Sequence, residues 1–420
     1  MKPSEYRTLD PAQVLPKTGW LNRWCVKTLL NHLPDLDYGT LDLQLPSGQL
    51  LQFGKAREHQ PRAEIRIHHY RALRRLLRGG PVGWSEAYMD GDWDSPDLVS
   101  LFRWALGNEA SIQRMARGNW LLRSLNRLRH LRRANTRSGS RRNIAYHYDL
   151  GNDFYSLWLD PSMTYSAALY ADGADNHGPD ALHAAQLNKY RRICTLLNLQ
   201  PGQRVLEIGC GWGGFAELAA REFGADVHGV TLSVEQLQYA RERIERAGLN
   251  AHCRFTLTDY RDLSERYDHI VSIEMFEAVG EEHWPTYFSQ VHQCLKPGGK
   301  AVLQIISIEE ARFERYRNSA DFIQTYIFPG GMLPSPERLR QAIAEGDLQL
   351  EQEQTFALGY ADTLREWRHS FIEQWPRIQA LAQEKRFDER FRRMWLYYLA
   401  YCEAGFRHGS IDVGLYQLSR

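Results

Sequence analysis

The chain has 420 residues, enough at ~100–200 residues per domain for two or three domains with real cores. With 43% hydrophobic and 25% charged residues it is neither disordered nor membrane-spanning, since no apolar run nears the ~18 residues that a spanning helix needs. The net charge of +1 hides an asymmetry, because residues 1–142 hold 24 Lys and Arg against 13 Asp and Glu, while residues 143–420 hold 28 against 38.

A basic arm before an acidic body implies an anionic partner, either nucleic acid or the negatively charged leaflet of a membrane. The start, MKPSEYRTLDPAQVLPK, has no apolar stretch behind its first basic residue, so no secretory signal is read and a cytoplasmic protein is expected. Cys25, Cys194, Cys210, Cys253, Cys294 and Cys402 form no C-x-x-C pair, which speaks against a disulfide framework and a zinc site, and no metal is expected.

From Tyr38, YGTLDLQLPSGQLLQFG alternates apolar and polar residues around a Ser-Gly turn, a β-hairpin pattern. A strand follows near 63–67, then a helix over HYRALRRLLRGG stopped by glycine, then a turn and a helix started by Ser95-Pro96. Residues 1–110 therefore read as a small α+β domain.

Residues 112–142 contain ten arginines and no acid. Within them, Leu121, Leu125, Leu128 and Leu131 form one stripe and Arg123, Arg127, Arg129 and Arg133 mostly another, a basic amphipathic helix running into the linker NTRSGSRR. Three readings stand: contact with a membrane surface, packing on a neighbouring domain with a solvated arginine face, and RNA contact.

From Gln186 helices and strands alternate, with strands at RVLEIG, DVHGVTL, CRFTLTD and HIVSIEM and a further one after KPGG. That order predicts an α/β fold, a doubly wound, largely parallel Rossmann-like sheet over 143–420, with the smaller α+β domain before it. The last 110 residues read as mostly helical, and DFIQTYIFPGGMLPSPERLRQAI as an insertion over the ligand-binding edge of the sheet.

The motif VLEIGCGWGG (205–214) runs a hydrophobic strand into closely spaced glycines that open a helix. Gly209 and Gly211 allow a tight turn and close backbone approach to a ligand, at a helix N-terminus. A dinucleotide fingerprint would read G-x-G-x-x-G; G-C-G-W-G-G with Glu207 inside the strand end is instead the arrangement used for S-adenosylmethionine.

Together with AYHYDLGNDFYSLWLDPSMTYS (145–166), GVTLSVEQ (229–236), MFEAVG (275–280), YIFPGGMLPS (326–335) and YYLAYCEAGFRHGSIDVGLYQ (397–417), the chain resembles the cyclopropane fatty acid synthase family, including the mycolic acid methyltransferases, nearly from end to end. The resemblance implies an S-adenosylmethionine-dependent C-methyltransferase acting on double bonds in unsaturated phospholipid acyl chains. It implies cofactor contacts at Tyr165, Ser166, Gly209, Gly211, Thr231, Leu232, Gln236, Asp259 and Tyr260, with Gln236 replacing the acid that generic methyltransferases place at the ribose.

The reaction makes an acyl carbocation that must lose a proton, so it needs a dry channel, electron-rich walls and a base. The resemblance implies a bound bicarbonate as that base, held by Glu277, Tyr360 and the Ile306 backbone. Two positions depart from the pattern: Ala167 stands where synthases carry cysteine, and Gln304 where they carry histidine. Gln304 can donate and accept hydrogen bonds but cannot carry a proton. Either it holds the anion in a neutral version of the site, or proton removal differs and the product is a methyl-branched, methylene or furan-precursor chain.

Glu277 and His147 each also have a plain structural reading, as a satisfied buried acid and a structural histidine. The partners implied are an anionic phospholipid surface approached from the cytoplasmic face of the inner membrane and, by resemblance alone, a second copy of the chain; nucleic acid is a poor fit to the acidic body. The rival classes are a small-molecule methyltransferase and a non-catalytic lipid-surface protein.

Overall fold

The computed structural model describes residues 19–32, 36–116, 150–171, 173, 176–319, 321–381 and 387–420. The arginine-rich helix and His147 lie outside them. The chain forms two compact units, one from Met1–Leu125 and Asp388–Ala404, the other from Asn126–Phe387 and Gly405–Arg420.

The first unit carries a four-stranded sheet in the order β2-β1-β3-β4, with β1 Thr40–Gln44, β2 Leu50–Gly54, β3 Arg62–Ile67 and β4 Trp93–Asp94. The hairpin read from alternation is present, with Thr40 opposite Gly54 and Gln44 opposite Leu50. The helix from Arg71 is broken at Gly80 (φ 58°, ψ −142°), the expected glycine stop, since only glycine adopts that conformation cheaply, and a second helical stretch runs on from Pro81 to Met89. One detail differs from the sequence reading. The next helix begins at Leu98, and its cap is Asp97, whose carboxylate accepts from the Ser100 N–H, rather than Ser95. Residues 388–404, far away in sequence, join this unit: Arg393 donates to the Trp93 carbonyl at 2.8 Å and to Asp94 at 2.6 Å, and its guanidinium lies 4.1 Å from the centre of the Tyr88 ring.

The second unit is built on a seven-stranded sheet in the order β10-β11-β9-β8-β5-β6-β7. Its strands are β5 Arg204–Ile208, β6 Asp226–Thr231, β7 Cys253–Leu257, β8 Tyr267–Ile273, β9 Leu295–Ile308, β10 Gln349–Thr355 and β11 Ile411–Ser419. The parallel centre matches the alternation in the sequence, and neighbouring residues of one strand serve opposite faces. Val205 packs with Ile193, Phe215 and Val227 on one side, while Leu206 packs with Phe276, Trp284 and Phe288 on the other. The last 110 residues are mostly helical, as expected, and add β10 and β11, an antiparallel pair that extends the sheet beyond β9. β11 is buried on both faces, while β10 is mostly exposed.

Candidate active site

The carboxyl ends of β5 and β6 shape one wall of a cavity, the place where open α/β sheets bind ligands. Gly209 leaves β5 at φ +81°, and a Cβ there would stand 2.8 Å from the Met275 side chain. The helix Gly214–Phe223 opens directly behind this loop. Tyr165, Ser166, Gly209, Gly211, Thr231, Leu232, Gln236 and Tyr260 all line the cavity. The Thr231 hydroxyl donates to Gln236 Oε1 at 3.0 Å, which fixes that amide at the wall with its NH2 as the remaining donor group.

Asp259 does not line the cavity. Its carboxylate is held by Arg261, from Nε at 2.8 Å and Nη2 at 2.6 Å, so it acts by placing Arg261, which does line the wall. Glu207 also faces the cavity, and its Oε2 is buried without a hydrogen-bond partner. Burial pushes this carboxyl well above its ordinary range, and a cationic or N–H-bearing ligand would satisfy it. A glycine cradle, a fixed amide and an orphaned acid suit the amino-acid and ribose parts of S-adenosylmethionine.

The opposite wall, at the ends of β8 and β9, gathers the other predicted residues around one that the sequence reading missed. Glu274 follows β8 directly, lines the cavity and has φ +50°. Its Oε1 accepts from the Ala167 N–H at 2.7 Å and from Gln304 Nε2 at 2.7 Å, and its Oε2 accepts from the Tyr360 hydroxyl at 2.6 Å. Burial raises its pKa, and the Tyr360 hydrogen bond, the Ala167 N–H and the Lys189 charge oppose that rise.

Lys189 is fully buried, and its ammonium donates to Ser166 Oγ at 2.6 Å and to the Ala167 carbonyl at 2.9 Å. Burial lowers its pKa to about 7, against the attraction of Glu274 and Asp160. Lys189 sits on the inward stripe of the helix Pro179–Leu197 with Leu182, Gln186 and Ile193. A lysine at an apolar position, and an acid ending the strand HIVSIEM three residues before Glu277, were the signals available in the sequence.

Glu277 stands apart from that cluster of donors. Its Oε1 accepts from the Ile306 N–H at 2.6 Å, the contact that the resemblance implied, while its Oε2 is buried without a partner. Burial, and then the nearby Glu274 charge, push its carboxyl up to about 8, which favours its protonated form at neutral pH. The segment read as an insertion reaches this place: the Met332 N–H donates to the Glu277 carbonyl at 2.8 Å.

Aromatic rings complete the chamber. Tyr165 lies 5.2 Å from Trp367 and 5.6 Å from both Tyr155 and Trp158, measured between ring centres, and Tyr360 lies 4.5 Å from Phe406. Such faces stabilise a cation in a dry site. Among the described residues no His, Cys, Asp and Glu cluster could hold a metal ion.

A sheet of this order with a glycine cradle on one wall and buried acids on the other defines a methyltransferase of the Rossmann-like class. The profile of the mycolic acid cyclopropane synthetase family matches residues 135–416, and the chain belongs to that family. It is 40% identical over 365 residues to the tuberculostearic acid methyltransferase UfaA1 of Mycobacterium tuberculosis, covering 86% of this chain and 84% of that one. It is 38% identical over 358 residues to the cyclopropane-fatty-acyl-phospholipid synthase of Escherichia coli K12, covering 85% and 87%. The solved structure of the mycolic acid cyclopropane synthase CmaA1 complexed with SAH and CTAB superposes with a TM-score of 0.60 at 30% identity, over 67% of this chain and 98% of that one. The protein is thus an S-adenosylmethionine-dependent methyltransferase, an enzyme of this family.

Proposed function

We propose that the enzyme transfers a methyl carbon to the double bond of an unsaturated phospholipid acyl chain, at a membrane surface that it reaches as a peripheral protein from the cytoplasmic face. The observation that carries this reading is the aromatic and carboxylate chamber around Glu274, which suits a carbocation followed by loss of a proton. S-adenosylmethionine, when bound, supplies an electrophilic methyl group on a positively charged sulfur. Gly209, Gly211, Gln236 and Glu207 would hold it, and Tyr165 and Trp367 would shield the alkene from water. The ten arginines of residues 112–142 would hold the enzyme on anionic lipid.

Candidate catalytic roles fall to Glu277, Gln304, Tyr360, Ile306 and Ala167 as the frame of the proton-accepting corner. Gln304, which cannot carry a proton, favours a second reading in which the cation resolves to a methylene or methyl-branched chain. Expression in a bacterium lacking its own cyclopropane synthase, with methyl-labelled methionine and mass spectrometry of the fatty acids, tests both. A labelled cyclopropane supports the first reading and a labelled methylene or methyl chain the second; label on RNA or small metabolites alone removes both. Vesicle binding that weakens with salt supports the arginine anchor.

A further inference from the structure

The resemblance placed a dissolved bicarbonate among Ala167, Gln304, Tyr360, Glu277 and Ile306. The donors of three of those residues converge on a carboxylate of the chain itself: the Ala167 N–H, the Gln304 amide and the Tyr360 hydroxyl all lie within 2.7 Å of Glu274 oxygens. Bicarbonate and a glutamate head present the same planar O–C–O group, so the two compete for one set of donors.

The backbone adds an independent argument. Glu274 has φ +50°, a conformation that glycine adopts freely and that costs a residue with a side chain on the order of 1 kcal/mol. A long acidic side chain held there, partly buried, near the charge of the buried Lys189 and lining the cofactor cavity, is strain placed at a working site.

We propose that Glu274 is a built-in base: its carboxylate permanently fills the anion cradle and takes a proton from the new methyl group of the carbocation formed within the acyl chain, so turnover needs no bicarbonate. This rests on the lipid reading above. In the step, a C–H bond of the newly added carbon breaks, and its electron pair either closes the third bond of the ring at the neighbouring cationic carbon or, once a 1,2-hydride shift has moved the charge to the methyl-bearing carbon, forms the double bond of a methylene branch. The proton goes to a Glu274 oxygen, which returns it to water after the product leaves. Lys189 is a positioning residue that keeps Glu274 ionised until then, and Glu277, lacking those donors, is the neutral neighbour.

The test compares the wild type, Glu274→Gly and Glu274→Gln in carbon-dioxide-free buffer with and without millimolar bicarbonate. It reads melting temperature without substrate, and methyl transfer to vesicles of unsaturated phosphatidylglycerol. For the wild type, bicarbonate should change neither reading. Glycine suits the backbone at 274, so Glu274→Gly should fold, lose about 100-fold in rate, and recover about tenfold with bicarbonate while its melting temperature rises. Glu274→Gln keeps the cradle filled, so it should be as slow and show no rescue. A wild type that slows about tenfold without bicarbonate, or that bicarbonate stabilises against melting, overturns the proposal, as does a Glu274→Gly variant with the wild-type rate in bicarbonate-free buffer. A wild type that methylates no lipid at all counts against the lipid reading alone, and the melting arms still decide what occupies the cradle.

Discussion

At the ends of β5 and β6 the cavity is lined by glycine backbone, by the neutral Thr231 and Gln236, and by Glu207, an acid whose burial favours its uncharged form. Near the ends of β8 and β9 the chain gathers two partly buried acids, Glu274 on the cavity and Glu277, with the charge of the buried Lys189 nearby. The first wall needs shape, which glycine provides at little electrostatic cost. The second needs a proton acceptor in a dry place, and a charge can be kept there only by donors and a counter-charge. The two walls should therefore fail in different ways, the charged one through stability and pH, the neutral one through cofactor affinity.

The largest effect expected is from Lys189→Met, which removes a buried ammonium from Ser166 Oγ and the Ala167 carbonyl and its attraction from Glu274, and should cost about 3 kcal/mol. Denaturant unfolding checks it, and the double variant Lys189→Met with Glu274→Gln should regain part of the loss. The next is a pH effect. Glu277 holds its proton up to about 8 in the folded chain against an ordinary value of 4.5. The folded state thus binds more protons between those values, and stability falls as pH rises through that window, by up to about 1.4 kcal/mol per pH unit. Glu277→Gln should flatten this slope, as seen in unfolding midpoints from pH 5 to 8.

On the neutral wall, Gly209→Ala forces a side chain into the left-handed region against Met275 and should weaken S-adenosylmethionine binding by at least about tenfold in calorimetry, with about 1–2 kcal/mol lost in stability. Smallest is Tyr360→Phe, which removes one of the three hydrogen bonds on Glu274 and should cost about 1–2 kcal/mol. Its turnover should fall more than its KM changes, because the missing donor positions the base and not the substrate.

The same contrast governs what could be read from the sequence. The cofactor wall is local: strand, glycine loop and helix follow one another within VLEIGCGWGG, and GVTLSVEQ supplies the next strand and turn. The opposite wall is assembled from residues 167, 189, 274, 304 and 360, and only folding shows that three of them turn toward Glu274. The MFEAVG motif drew attention to Glu277, while Glu274 read as a strand end. Asp259 was read as a cofactor contact because its position matched, yet Arg261 two residues later engages its carboxylate. The union of residues 388–404 with the N-terminal unit was equally illegible, since it depends on Arg393 meeting Tyr88, Trp93 and Asp94 about 300 positions away in sequence.

The position of β11 has a consequence for biosynthesis. This strand lies between β9 and β10, with Leu415 paired to Gln304, so the edge of β9 that carries the Gln304 donor is uncovered until residues 411–419 arrive. A nascent chain halted on the ribosome before residue 411 would hold a complete glycine loop beside an open, apolar strand edge, the template for wrong pairing with other chains. Recognition of the cofactor would then mature earlier in translation than the proton-accepting corner.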